Sequence, residues 1–199
     1  MRETIAAALN EASSALAKLQ ANESALGAIA DAARLLVVTF QLRNCAFSCG
    51  NGGSMCDAMH FAEELSGRFR RDRPALAAVA ISDPSYITCT GNDYGFDQIF
   101  SRYLEAHARR DDVLLAISTS GESRNVLLAA TRARGLGLKV IALTGKVGST
   151  LGRAADVDIC TPGGAFADRA QELHIKVIHI LIELVERAMF PANYAHEAA

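Results

Sequence analysis

Between Arg2 and Gln41 apolar residues return every three or four positions, as Ile5, Leu9, Ala12, Leu16 and Leu19, then Leu26, Ile29, Ala33, Val37 and Phe40. That spacing follows the 3.6-residue helical turn and predicts two amphipathic helices. Asn22, followed by Glu23 and Ser24, is the polar break between them and supplies capping chemistry. The pair is expected to fold back as an antiparallel hairpin over residues 1–43.

Downstream the pattern changes to short apolar runs that end in small or polar residues and lead into helical stretches. Cys45 to Cys49, Ala77 to Ile81, Val113 to Ile117 and Val140 to Leu143 are four such runs, and Val157 to Cys160 is a weaker fifth. The strand, loop, helix rhythm predicts a five-stranded parallel sheet flanked by helices. Ala167 to Phe190 reads as a long closing helix stopped by Pro191, with residues 191–199 left as a tail expected to fray. No linker or repeat divides the chain. The expectation is one α/β domain, with its core and closing helix over 44–190.

Charge and cysteine usage exclude some functions. Lys plus Arg number 20 against 22 Asp plus Glu, a formal net charge of -2, so no basic excess exists to hold a phosphate backbone. Nucleic acid is not the expected partner. The five cysteines contain no Cys-x-x-Cys pair, and the amino terminus carries no charged and then apolar leader, which fits a reducing cytoplasm. Lys176, His179, Glu183, Glu186 and Arg187 interrupt the most apolar stretch, far short of the ~20 clean residues of a membrane span.

In an open parallel sheet, ligands sit at the carboxyl ends of the strands, where loops feed helix amino termini. The first strand runs into Gly50-Asn51-Gly52-Gly53-Ser54 and the third into Ser118-Thr119-Ser120-Gly121-Glu122-Ser123. Glycines admit an anion close to the backbone, and hydroxyls can surround a phosphate with neutral donors. Either loop alone is also an ordinary strand-to-helix turn. Two at equivalent places favour a phosphate site at Ser118 to Ser123. Neither is a nucleotide signature: the third glycine of the dinucleotide fingerprint is missing, and no Gly-Lys-Ser/Thr ending is present.

His60 and Glu64 are spaced i and i+4 on the helix after the glycine loop, a pair that can bind a metal, share a proton or simply form a solvated contact. His179 lies in the run Val177-Ile178-His179-Ile180-Leu181-Ile182, as a satisfied core histidine or as a ligand or proton carrier. Gln171 and His179 stand ~12 Å apart along one helix and about 80° around its axis. A shared ion would require both side chains stretched, or contributions from different subunits.

Read together, Ser48 to Ser54 (SCGNGGS), Asp57 to Gly67 (DAMHFAEELSG), Gly91 to Gly95 (GNDYG), Ile117 to Gly121 (ISTSG) and Asp168 to Leu181 (DRAQELHIKVIHIL) closely resemble the bacterial phosphoheptose isomerases, in the same order and across most of the chain. The resemblance implies a single sugar-isomerase domain, a homotetramer with sites at subunit boundaries, and conversion of sedoheptulose 7-phosphate to glycero-manno-heptose 7-phosphate for the lipopolysaccharide core. It also implies a zinc site at His60, Glu64, Gln171 and His179, a nitrogen and oxygen set that suits this metal. Substrate contacts would fall on Asn51, Gly52, Gly53, Glu64, Asn92, Asp93, Ser118, Thr119, Ser120, Ser123 and Gln171. Glu64 and His179 would carry the protons of an enediol mechanism. Met55 stands where close relatives carry histidine, and Glu122 where asparagine is usual. The resemblance leaves two alternatives, a non-catalytic binding module like the replication-initiator-associating protein and an isomerase of a shorter sugar phosphate. Glu64 and His179 weigh against the first.

Overall fold

The computed structural model describes residues 1–197. Helices α1 (Arg2–Gln20) and α2 (Glu23–Gln41) occupy the predicted stretches, and the Asn22 side chain caps α2 by accepting from the Ala25 amide at 3.1 Å. The two helices are joined through Ala21 and Asn22, and α1 reaches the core only at its carboxyl-terminal half. Only Ala15 and Leu19 of α1 are buried, while Ile5 and Leu9 are 59% and 65% exposed. The apolar stripe of α1 therefore runs past the end of the domain's own core, which the sequence pattern alone does not reveal.

The strands are β1 (Ala46–Cys49), β2 (Ala78–Ala80), β3 (Val113–Ser118), β4 (Lys139–Thr144) and β5 (Val157–Cys160). All pair in parallel in the order β2-β1-β3-β4-β5. Residues of β3 alternate between two cores, as strand geometry requires. Val113, Leu115 and Ile117 join Ile29, Leu36, Phe61 and Val177 on one face, and Leu114 and Ala116 join Phe100, Leu104 and Val126 on the other. Each fully buried Leu or Ile contributes about 2 kcal/mol of transfer free energy, so the central strands anchor everything attached to their ends.

The connecting helices are α3 (Gly53–Ser66), α4 (Pro84–Tyr94), α5 (Ile99–His107), α6 (Arg124–Leu136), α7 (Thr150–Ala154) and α8 (Ala167–Met189). The chain steps from β1 outward to β2, then returns to the opposite side of β1 to build β3, β4 and β5. The sheet's topological switch point thus lies between β1 and β3, where such sheets open a crevice. Residues 191–197, expected to fray, form a 3-10 segment that buries Tyr194. Residues 198–199 lie outside the described chain.

Candidate active site

The two loops singled out in the sequence flank that switch point. After β1, Gly52 at φ +56° precedes α3, a conformation that favours glycine, and Ser48 Oγ donates to the Ala58 carbonyl at 2.8 Å to tie strand to helix. After β3, the Ser118 hydroxyl donates to Ser123 Oγ at 3.1 Å, lies 3.4 Å from Ser120 Oγ and accepts from the Gly121 amide at 3.1 Å. Ser123 occupies the cap position of α6 without its side chain capping the helix, so its hydroxyl faces the loop. Three hydroxyls thus converge at a helix amino terminus, an arrangement that suits an anion. Thr119, Ser120, Gly145, Lys146, Gly163 and Phe166 line a depression beside it.

Two features of this region were not legible in the sequence. Asn125, on the first turn of α6, pairs its amide with that of Asn51, so Asn51 is engaged with the neighbouring loop. Glu122 accepts from the Thr150 amide at 2.9 Å, which makes the residue in the asparagine position a cap for α7.

Helices α3 and α8 lie side by side, in parallel. Gln171 rests its amide against Gly53, so close that a Cβ there would lie 2.7 Å from Nε2. Farther along, His179 Nε2 lies 2.9 Å from His60 Nε2. Beyond that, Glu186 of α8 shares Arg73 with the last turn of α3. His60 meets both Glu64 and His179 in the groove, while Gln171 stands at the opening of α3. Asn92 and Asp93 are exposed at the end of α4, where Asn92 Nδ2 donates to Asp93 Oδ1 at 2.8 Å. No hydrogen bond among the described residues links these two to the serine loop.

In the groove, His60 Nε2 is 3.5 Å from Glu64 Oε1, and its Nδ1 is 3.1 Å from Glu63 Oε1. Zinc ligands stand about 2.0–2.2 Å from a tetrahedral ion, hence about 3.3 Å from one another. His60 Nε2 is near that spacing from both His179 Nε2 and Glu64 Oε1. The described residues whose candidate ligand atoms all lie within 4.8 Å of one another are His60, Glu63 and Glu64, with Glu63 against the other ring nitrogen of His60. Imidazole nitrogen and carboxylate oxygen are donors that zinc takes, so the residues gathered around His60 fit this metal by type. Burial raises the Glu64 carboxyl above its ordinary value, with Glu63 adding to it and His60 opposing. Burial lowers His179, helped by His60, Lys176 and Arg70. A carboxylate made more basic and an imidazole made less basic are brought closer in proton affinity, which suits a pair that exchanges protons.

Residues 8–145 match the SIS domain family. A phosphoheptose isomerase from Aeromonas hydrophila is 56% identical over 188 residues, covering 94% of this chain and 98% of its own. Another from Edwardsiella ictaluri is 53% identical, over 94% of this chain and 97% of its own. Among solved structures, the phosphoheptose isomerase GmhA from Neisseria gonorrhoeae superposes with a TM-score of 0.85 at 39% identity, covering 93% of this chain and 98% of that one. The phosphoheptose isomerase from Francisella tularensis gives 0.87 at 35% identity, over 93% and 97%.

Proposed function

The chain belongs to the SIS domain family, on the branch of the phosphoheptose isomerases, and from that membership we propose how it isomerises sedoheptulose 7-phosphate to an aldoheptose 7-phosphate. The observation that carries the chemistry is the meeting of His60 with both Glu64 and His179 between α3 and α8. It also favours an enzyme over a non-catalytic sugar-phosphate binder, which needs no such proton-exchanging set.

The phosphate is read onto the hydroxyls of Ser118, Ser120 and Ser123 and the backbone of Thr119, at the amino terminus of α6. Gly52 and Gly53 let the sugar approach the start of α3, with Gln171, Asn92 and Asp93 available to its hydroxyls. Asn51, clasped to Asn125, offers its second N–H and second lone pair. At the far end of the sugar, Glu64 takes a proton from C1 of the open-chain ketose as the C1–C2 double bond of an enediol forms, and returns it to C2 of the aldose. His179 gives a proton to O2 and accepts one from O1, so the hydroxyl and carbonyl exchange places and the proton balance closes. His60, Glu64, Gln171 and His179 are the residues that would hold a zinc ion, which would supply Lewis-acid polarisation of the carbonyl oxygen.

We read the working form as a homotetramer with sites at subunit boundaries. The exposed Ile5 and Leu9 of α1, and an apolar groove lined by Ala33, Val37, Val38, Leu184 and Ala188, support that reading. The described cysteines are all unpaired, in keeping with a reducing cytoplasm, and no helix among the described residues is long and apolar enough to cross a membrane. Heptose supply for the lipopolysaccharide core would be the physiological outlet.

The deciding experiment is NMR of sedoheptulose 7-phosphate with the purified protein, with added zinc and after chelation. An aldoheptose phosphate signal that disappears on chelation and returns with zinc is expected. Conversion that survives complete chelation would remove the metal from the proposal, and no conversion by folded protein would remove the reaction.

A further inference from the structure

The proposed reaction, on which this inference rests, needs Glu64 and His179 at a set separation although they stand on different helices. What sets it lies deeper. Arg73 follows α3 in the loop toward β2, and its side chain is 0% exposed. Its Nη2 donates to the Glu64 carbonyl at 2.7 Å, and its Nη1 to the Leu65 and Gly67 carbonyls at 2.7 and 3.0 Å. These are carbonyls that a helix leaves without intrahelical partners at its end, where the dipole also favours a cation. The Nε donates to Glu186 Oε1 on α8 at 2.9 Å. Glu186 Oε2 accepts from the Tyr194 hydroxyl at 2.6 Å, so both oxygens are used.

We propose that Arg73, Glu186 and Tyr194 are positioning residues: a buried latch that sets the register of α8 against α3, and thereby holds the Glu64 carboxylate and the His179 imidazole at one place. Glu186 lies two turns beyond His179 on the same face of α8, so a slip at one is a slip at the other. The Arg73 fork grips the backbone of Glu64 itself. Stability alone does not account for such a group, since a buried ion pair is often replaceable by apolar side chains without loss. The C-terminal segment closes the latch. Arg187 stacks 4.4 Å over the Tyr194 ring, and Asn193 Nδ2 donates to the Asp72 carbonyl at 2.9 Å. The serine loop, at the carboxyl end of β3, makes no hydrogen bond with these residues, so phosphate binding should not depend on them.

The test compares the full-length wild type with Tyr194→Phe, Arg73→Lys and the apolar double variant Arg73→Met/Glu186→Leu. Readouts are kcat and KM on sedoheptulose 7-phosphate, the thermal midpoint and the ring signals of His60 and His179 by NMR. Tyr194→Phe removes one hydroxyl and is expected to stay folded. Displacing a reacting group by a fraction of an ångström to 1 Å costs up to about 100-fold. We therefore expect kcat to fall by about threefold to tenfold in Tyr194→Phe and further in Arg73→Lys, with KM little changed and the two imidazole signals shifted. Wild-type kcat and unshifted imidazole signals in folded Tyr194→Phe would overturn the proposal, as would a folded, fully active double variant. Should Arg73→Lys fail to fold, Tyr194→Phe decides. A wild type that does not isomerise the sugar would count against the proposed function, and the imidazole signals would then judge the latch alone.

Discussion

Asn51 and Asn125 clasp each other through both halves of their amides: Asn51 Nδ2 donates to Asn125 Oδ1 at 2.9 Å, and Asn125 Nδ2 donates to Asn51 Oδ1 at 2.8 Å. One residue follows β1 and the other lies in the first turn of α6, so the clasp bridges the two sides of the switch point between β1 and β3. It joins the glycine loop to the serine loop, and neither can drift without the other.

Asn125 is 2% exposed, and its Oδ1 also accepts from the Val126 amide at 3.0 Å. Asn125→Ala leaves Asn51 without its partner and a cavity behind the serine loop. A stability loss of about 1–3 kcal/mol is expected, from the unpaired polar groups. Because the loops are the parts released, KM should rise more than kcat falls. Denaturant unfolding and steady-state kinetics check the two halves, and an unchanged KM would leave the clasp with a purely structural part.

Gly121 sits in the serine loop at φ +65°, and a Cβ there would lie 2.2 Å from Ser149 Oγ. Gly121→Ala therefore combines backbone strain with a collision against the cap of α7. Ser149 caps that helix by accepting from the Gly152 amide at 3.1 Å, so it cannot move away freely. A loss of about 1–3 kcal/mol is expected from the strained conformation. A severalfold rise in KM for the sugar phosphate should accompany it, because the three hydroxyls no longer converge. A thermal melt and a substrate titration of the variant measure both.

The strands and most helices were legible because their cause is local. The runs at Val113 to Ile117 and Val140 to Leu143 are apolar at every position, which a strand buried on both faces requires, and both appear as β3 and β4. His60 and Glu64 were legible as a pair because helical spacing places them together. Their partner His179 was visible only as an imidazole in an apolar run, since its contact spans 119 positions. Arg73 gave no signal, because it stands in a charged loop and its burial depends on Glu186, 113 positions away. The tail misled for the same reason: a Tyr after a proline reads as exposed until its hydroxyl finds a buried carboxylate.

Glu64 is the group proposed to carry the carbon proton, and Glu64→Gln keeps its shape while removing its basicity. Turnover is expected to fall by about 10² to 10⁴, the usual contribution of a positioned base. The thermal midpoint of the metal-free protein should stay close to that of the wild type. In deuterated water the variant should also cease to exchange the C1 hydrogens of the ketose, which separates loss of proton abstraction from loss of a later step. Persistent exchange would move the base elsewhere, with His179 as the first candidate.

Zinc that binds the folded site and not the unfolded chain stabilises the fold by mass action, about 2.7 kcal/mol at one hundred times the dissociation constant. Chelation should therefore lower the thermal midpoint as well as the activity, and His60→Ala should remove the effect of zinc on both. Glu63→Gln, which removes the carboxylate against His60 Nδ1 and its charge beside Glu64, is expected to weaken zinc affinity by about 10- to 100-fold and leave the metal-free fold unchanged. A zinc titration followed by calorimetry measures it. Equal affinities would show that the 3.1 Å contact of Glu63 with His60 Nδ1 does not orient a ligand.

His174 gives the stability of the fold a pH dependence of its own. It is 0% exposed, its Nε2 lies 3.2 Å from the Thr144 carbonyl oxygen, and its Nδ1 has no partner. Burial pushes it down from 6.5 to about 4, with the Thr144 carbonyl opposing. The neutral ring then carries its proton on Nε2 and donates to Thr144. Above 6.5 both folded and unfolded chains hold the ring neutral, and this contribution is fully present. As pH falls below 6.5 the unfolded chain takes up the proton first, and stability declines until about 4, by roughly 3 kcal/mol in all. Asp57, pushed up to about 6 by burial, works in the opposite sense, so the difference between two proteins is the quantity to measure. Denaturant unfolding of the wild type and of His174→Gln, which does not titrate, should give stability curves that converge as pH drops from 6.5 to 4. Parallel curves across that interval would mean that His174 is protonated in the fold, and that the Thr144 carbonyl holds a charged ring.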